Sequence, residues 1–230
     1  MIPLQYGYLA FAVALFIPWF FLYLKRPDER REMLVMSFTL GFASVITGYL
    51  WWTHDWWRPL TVTRTVVGVE DFIIGFLSGG IMASAYEWWM RKRHYHPHRL
   101  EGAFQLPAWS LLFLLAAITG SLFWTFHYTS FVASSIAMII VWVYMVGRRP
   151  DLFWDSLASG ALMTSIVFLF AYLPALLLVP GLVENTWPYP TLSGITFLTY
   201  PIEEFIFWIL AGFIFGPLYE YWKHERLRTI

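Results

Sequence analysis

The chain has 230 residues, of which 59% are hydrophobic and 13% are charged, and its formal net charge is zero. A soluble domain carries about 25% charged residues, so this composition indicates a membrane protein. The zero net charge argues against nucleic-acid binding. The sequence contains no cysteine, which excludes disulfides and thiolate metal sites.

Apolar stretches of about 20 residues, long enough to cross the hydrocarbon core of a bilayer, recur along the chain. They predict seven transmembrane helices. The first stretch lacks a charged start and a small-residue cleavage site, so it is interpreted as a retained helix. The predicted spans are roughly 3–24, 33–53, 64–90, 107–127, 129–147, 155–179 and 193–222.

The positions of the basic residues predict the orientation. Thirteen lysines and arginines fall on one side of the seven predicted spans, and only Arg58 and Arg64 fall on the other. Cytoplasmic loops carry the excess of basic residues, so we expect the N-terminus outside and the C-terminus in the cytoplasm. The chain is thus predicted to be a multi-pass protein of the cell membrane.

The second half of the sequence repeats the first. Residues 70–89 align with residues 203–222 without a gap, and nine of the twenty positions are identical. An Arg-Pro-Asp motif also follows the first span of each half, at Arg26 and at Arg149. The fold class is therefore all-α, with two parallel three-helix repeats and a connecting helix (3+1+3).

These repeats predict three segments. The first repeat comprises residues 1–96 and the second comprises residues 129–230. A linker and the connecting helix occupy residues 97–128 between them.

Each repeat carries a pair of carboxylates inside a lipid-length helix, Glu70 with Asp71 and Glu203 with Glu204. Each pair precedes the basic residues at the inner end of its helix by about 20 residues, so both should lie about 30 Å from that end. Ionisable residues within a membrane span are costly and mark functional sites. Carboxyl groups in apolar surroundings keep protons readily, so two pairs can supply an acid and a base. Alternatively, they pair with Arg64 or hydrogen-bond across helices for packing.

Aromatic residues lie beside the acids. Their ring faces could stabilise a carbocation, and core packing is the alternative interpretation. Pro201 precedes the second pair and suits the first turn of a helix or a kink. The aromatic candidates are Phe72, Tyr200, Phe205, Phe207 and Trp208.

Other polar and aromatic residues receive simpler interpretations. Glu87 and Glu220 lie near basic clusters and are predicted to form interfacial salt bridges or caps. Asp151 and Asp155 form a weak pair with a diphosphate–Mg²⁺ spacing. Three histidines, His94, His96 and His98, are assigned to a solvated loop and not to a metal site. Eight tryptophans fall mostly at span ends, and most of them are interpreted as an aromatic belt; they are Trp51, Trp52, Trp56, Trp57, Trp88, Trp89, Trp187 and Trp222.

The segment Pro201-Ile202-Glu203-Glu204, followed by Phe205, resembles the PxE(E/D) signature of the integral-membrane, flavin-independent lycopene cyclases. In that family the two halves occur as separate subunits or as one fused chain. The Arg-Pro-Asp motifs, Asp55-Trp56-Trp57 and the two three-helix repeats are similar as well. The first half departs from the signature, because Gly68 stands where proline is expected.

This resemblance implies proton-initiated, redox-neutral cyclisation of lycopene to β-ionone rings, without a cofactor or a metal. Glu203 or Glu204 would donate the proton, and Glu70 or Asp71 would act as the base or charge partner. The partners implied are lipid-dissolved lycopene, membrane lipid and other carotenoid enzymes, with the chain a monomer or a homo-oligomer. Three competing functions remain open: another membrane terpene cyclase, a Mg²⁺-dependent prenyltransferase that uses Asp151, and a small proton-coupled transporter.

Overall fold

A computed structural model describes residues 1–95, 105–187, 189–223 and 226–229 of the chain. His96 and His98 lie outside the described residues, as does the side chain of His94. The described part is mostly helical. Its helices are α1 (Leu4–Lys25), α2 (Arg30–Asp55), α3 (Val69–Met90), α4 (Ala108–Thr125), α5 (Ser130–Arg148), α6 (Pro150–Leu178), the short α7 (Leu182–Thr186) and α8 (Ile202–Lys223).

Six of these helices, α1, α2, α4, α5, α6 and α8, are long and apolar enough to cross a membrane. The third predicted span is also a helix, α3, with 22 residues. It is not among the six, because three carboxylates and several serines and glycines lower its hydropathy. The all-α class is confirmed, whereas the count of seven spans, the repeats and the orientation stay predictions.

Two predicted spans begin too early in the sequence. The third helix begins at Val69 and not at residue 64, because Arg64 has a positive φ of 58° and Gly68 is extended. The last begins at Ile202 and not at residue 193.

A short hairpin occupies the residues before that last helix. Thr196–Phe197 pairs with Tyr200–Pro201, and Leu198 and Thr199 form the turn with positive φ angles. Pro201 has a fixed φ and no N–H, so it ends the hairpin and starts the helix. A second antiparallel pair, Lys92–Tyr95 with Arg226–Thr229, joins the chain after α3 to the chain after α8.

Glycines allow helices to pack closely within each half. A Cβ atom at Gly79 on α3 would collide with the backbone carbonyl of Met36 on α2. A Cβ atom at Gly212 on α8 would lie 2.5 Å from the Cα of Gly160 on α6. Gly79 and Gly212 are equivalent in the repeat alignment, so the same close helix contact occurs in both halves. Small residues at such crossings are the usual means of close packing between membrane helices.

We expect Gly212→Ala to destabilise the protein by about 1–3 kcal/mol, because the added methyl group meets backbone atoms that cannot move aside. Gly147→Ala is the matched control, since a Cβ atom at Gly147 has no neighbour within 4 Å among the described residues. Thermal unfolding of both variants in the same detergent measures the difference. Equal midpoints would contradict close packing at Gly160.

Candidate active site

A cavity of about 390 Å³ lies between the two halves, in the size range of small-molecule sites. Residues from α1, α2, α3, α4, α5 and α8 line it, and most of the lining side chains are apolar. Of the four predicted acids, Asp71 and Glu204 line the cavity and Glu70 and Glu203 do not. The structure therefore brings one carboxylate from each half to a common space.

Glu204 lies in the first turn of α8 and is 2% exposed. The hydroxyl of Tyr172 donates to its Oε2 atom at 2.6 Å, and Nε1 of Trp187 donates to Oε1 at 2.6 Å. Trp208 Nε1 donates in turn to the Tyr172 hydroxyl at 2.7 Å. Tyr172 therefore directs its proton to Glu204, since its oxygen already accepts from Trp208.

Asp71 occupies the corresponding place in the first turn of α3. The hydroxyl of Tyr8 donates to its Oδ1 atom at 2.6 Å, and Trp57 Nε1 donates to the Tyr8 hydroxyl at 3.2 Å. The backbone N–H of Gly68 donates to Oδ2 at 2.7 Å. The order tryptophan, tyrosine, carboxylate thus occurs once in each half.

The departure from the signature at Gly68 has a physical explanation. Glycine supplies a backbone N–H to Asp71, whereas Pro201 at the equivalent position has none to offer Glu204. Trp187 supplies the second hydrogen bond to Glu204 instead. The two cavity acids therefore differ in one donor, which is a backbone group for Asp71 and a side chain for Glu204.

The first acid of each pair holds the segment that precedes its helix. Glu70 Oε1 accepts a hydrogen bond from the backbone N–H of Val62 at 2.6 Å. Glu203 Oε1 accepts one from the backbone N–H of Ser193, also at 2.6 Å. Both side chains are buried, so these bonds fix the chain around the cavity acids without reaching the cavity.

The predicted aromatic residues divide into two groups. Phe207 and Trp208 line the cavity. Phe72, Tyr200 and Phe205 do not line it. They pack against other aromatic rings: Phe72 contacts Phe42 and Phe76, while Tyr200 and Phe205 contact Tyr172. Arg64 is exposed and forms no ion pair within the part of the chain that the structure describes, so the interpretation in which it neutralises the acids finds no support.

The aromatic-belt interpretation was wrong for five tryptophans. Trp88, Trp89 and Trp222 are exposed, as a belt requires. The five others lie at the site: Trp51, Trp52, Trp56 and Trp57 line the cavity, and Trp187 is buried against Glu204. The sequence signal that could have placed four of them at the site is their spacing: they fall within the seven residues 51–57, which also contain Asp55.

The sequence pattern did not reveal Tyr8 and Tyr172. Tyr8 lies 63 residues before Asp71, and Tyr172 lies 32 residues before Glu204. Nothing in the local pattern distinguishes either tyrosine from others in apolar helices. Their role becomes visible only when the helices are packed.

Glu87 and Glu220 are fully buried, and Glu87 forms a salt bridge as predicted, with Arg26. Arg26 contacts Glu87 at 3.3 Å, and the hydroxyl of Tyr86 donates to Glu220. Oxygen atoms of Glu32, Glu87 and Glu220 lie within 4.8 Å of one another, a spacing that fits a hard cation. Because Arg26 and Tyr86 already contact the cluster, we assign it the structural role of joining α2, α3 and α8.

Asp151 and Asp155 do not line the cavity either. Asp151 forms an ion pair with Arg149 at 2.8 Å, and Asp155 is buried. Asp28 and Glu32 have the same spacing in the first half, and Arg26 likewise contacts Asp28 at 3.2 Å. An acidic pair with this spacing thus occurs in both halves. In each pair the first acid, Asp28 or Asp151, forms an ion pair with the arginine two residues before it.

Six apolar helices and a shared cavity with buried carboxylates define a membrane protein with a candidate acid–base site. A family model described as lycopene cyclase matches residues 125–222, which include α5, α6, α8 and the pair Glu203–Glu204. Residues 125–222 therefore form a lycopene cyclase family domain, which supports a lycopene cyclase-like role for the protein. Comparison with curated proteins and with solved structures finds no significant match.

The anchoring role of Glu203 leads to a stability prediction. Glu203→Ala removes the acceptor for the Ser193 N–H and should destabilise the protein by about 1–3 kcal/mol. Glu203→Gln retains a carbonyl oxygen at that place and should unfold within a few degrees of the unmodified protein. Thermal unfolding in detergent compares the two variants, and equal losses of stability would contradict the anchoring role.

Proposed function

We propose that this protein is a lycopene β-cyclase that uses Glu204 and Asp71 as its acid and base. The observation that carries the proposal is that these carboxylates, one from each half, line the same apolar cavity. Proton-initiated cyclisation needs an acid and a base within reach of one end group. It also needs a dry site, because water would trap the carbocation.

The reaction consists of two proton transfers. Glu204 protonates the terminal double bond of the acyclic end group, and the neighbouring double bond closes on the tertiary cation to form a six-membered ring. Asp71 then removes a ring proton, which leaves the β-ionone double bond. One proton enters and one leaves, so the conversion is redox-neutral and belongs to the isomerase or intramolecular lyase class.

The hydrogen bonds support this division of roles. Asp71 accepts a hydrogen bond from the backbone N–H of Gly68, and this fixed donor stabilises the carboxylate form that a base needs. Glu204 has only side-chain donors. The cation would form beside Trp56 and Phe207, whose ring centroids are 4.9 Å apart and which both line the cavity.

We further propose that α3 is a seventh span and that the halves form a 3+1+3 arrangement with the N-terminus outside. The contacts that recur in both halves support this repeat: the tryptophan–tyrosine–carboxylate networks, the anchoring acids and the close contacts at Gly79 and Gly212. The acids would then lie toward the outer side of the cell membrane. The substrate would arrive dissolved in membrane lipid.

Pigment analysis of lycopene-accumulating cells tests the proposal. Cells with the unmodified chain should convert lycopene to γ- or β-carotene. Glu204→Gln should lower conversion by at least about 100-fold, because an amide cannot donate the proton. Glu184→Gln is the control, since Glu184 is exposed and does not line the cavity.

Asp71→Asn should give a different result from Glu204→Gln. The end group would still be protonated and closed, but the proton would leave from another carbon or water would add. We therefore expect isomeric or hydroxylated rings besides residual lycopene, detected by chromatography and mass spectrometry. Conversion at the unmodified rate in both variants, with the proteins present in the membrane, would contradict the proposal.

A second candidate is a cyclase for an isoprenoid that carries oxygen. Trp51 Nε1 and Thr119 Oγ1 both belong to cavity-lining residues, and both are buried without a hydrogen-bond partner among the described residues. A hydrocarbon cannot satisfy these atoms, whereas a hydroxyl or quinone oxygen can. Conversion of an oxygenated isoprenoid, with lycopene unchanged, would favour this candidate.

The cavity gives no such support to a transporter or to a prenyltransferase. A transporter needs polar groups along its path, and this cavity is mostly apolar. A prenyltransferase that uses Asp151 and Asp155 would need them at the cavity, and neither lines it.

A further inference from the structure

We infer that the cavity opens sideways to the lipid between α2 and α4, and that the substrate enters there and leaves its unreacted half in this gap during cyclisation. The lateral gap is bounded by Phe42, Ile46 and Leu50 on α2 and by Leu112, Leu115 and Ala116 on α4. The identity of the substrate rests on the proposed function. The existence of the gap rests on geometry alone.

On α2, three large apolar residues recur at every fourth position, so they lie on one face of the helix. Phe42, Ile46 and Leu50 line the cavity, and they are also 59%, 56% and 38% exposed. Large side chains that line a cavity and are also substantially exposed are those expected at the rim of an opening.

On α4, Leu112, Leu115 and Ala116 form the opposite rim. They lie three and four positions apart, line the cavity and are half-buried. Among the described residues, the backbone of α4 packs along α5 and against the end of α8, with no comparable packing along α2.

The gap is closed at the end nearer the acids. There the ring of His54 on α2 contacts Phe123 and Trp124 on α4, with centroids 5.8 and 5.7 Å apart. On the other side of this contact, away from the helix ends, apolar side chains of α2 and α4 border the opening. An apolar opening at this depth suits a hydrocarbon and not a water-dissolved ligand.

For a lycopene substrate, the length of the cavity also favours such an opening. Its lining extends from Asp71 to Met82 on α3 and from Glu204 to Phe215 on α8, which is about 16 Å in each case. One helical turn beyond Met82, the buried Tyr86 donates to Glu220 and closes the inner end. Extended lycopene, a linear tetraterpene, is longer than this space, so part of it must leave through the side.

One consequence concerns the order of products. Both cavity acids act on the single end group that the cavity holds, and the other end remains in lipid. The cyclised end must leave before the second end can enter. We therefore expect a monocyclic product to accumulate before any bicyclic product.

Substitution at the rim tests the gap. Ala116→Trp should fill it and lower kcat/KM for lycopene in liposomes by roughly tenfold, mainly through KM, because entry and binding are hindered while the acids are untouched. Ala117→Trp is the matched control: Ala117 is the next residue on α4, is exposed and does not line the cavity. Equal activity of the two variants would overturn the inference.

A labelling experiment tests the gap without relying on catalysis or on a bulky substitution. The chain has no cysteine, so A116C and A117C each carry a single thiol. Both are prepared with Glu204→Gln, so that lycopene stays unreacted, and are labelled in liposomes with a membrane-dissolved maleimide. We expect lycopene to slow labelling of A116C several-fold and to leave A117C unchanged, with a saturated hydrocarbon of similar length as the bulk-lipid control.

The two proposals fail in different ways. If lycopene protects A116C but the unmodified protein forms no ring, the gap is supported and the cyclase function is wrong. If the unmodified protein cyclises lycopene while A116C and A117C label equally with and without lycopene, the function stands and the gap is wrong.

Discussion

Four carboxyl groups lie buried at the starts of two apolar helices, and the hydrogen bonds that satisfy them organise the rest of the site. A buried carboxyl without partners would cost several kcal/mol. One oxygen of Glu70 and one oxygen of Glu203 accept hydrogen bonds from backbone N–H groups of the preceding segments. Asp71 and Glu204 are satisfied by tyrosines from other helices. The paths of two loops and the orientations of two tyrosines therefore follow from one electrostatic requirement.

The need of buried carboxyl groups for hydrogen bonds also gives the two acids of each pair different roles. Adjacent residues in a helix project about 100° apart, so one acid can face the loop while the other faces the opposite half. Anchoring by the first acid holds the helix start in place, and the second acid can then be presented to the cavity with its donors already arranged. Such preorganisation is what acid–base catalysis needs, because the groups do not have to move when charge develops.

The parts of the fold that depend on local pattern could be predicted from sequence. Apolar runs placed every long helix, and the aligned residues Glu70 and Glu203 located both acid pairs. The contacts between distant residues could not be predicted. Periodicity separates Asp71 from Glu70 by angle, but it does not say which of them faces the other half. Tyr8 and Tyr172 look like ordinary core residues until α1 and α6 are packed against their acids. The hairpin before Pro201 was missed because its short strands lie within an apolar run.

The most direct test of acid-initiated cyclisation is a single-turnover reaction in D₂O. Liposomes containing the protein in excess over lycopene are equilibrated in D₂O, so that exchangeable carboxyl protons become deuterons before the substrate is added. Proton donation by Glu204 predicts one deuterium per ring, on the methylene carbon next to the gem-dimethyl carbon, located by mass spectrometry and NMR. Cyclised product without deuterium would contradict proton donation by an exchangeable side chain such as Glu204.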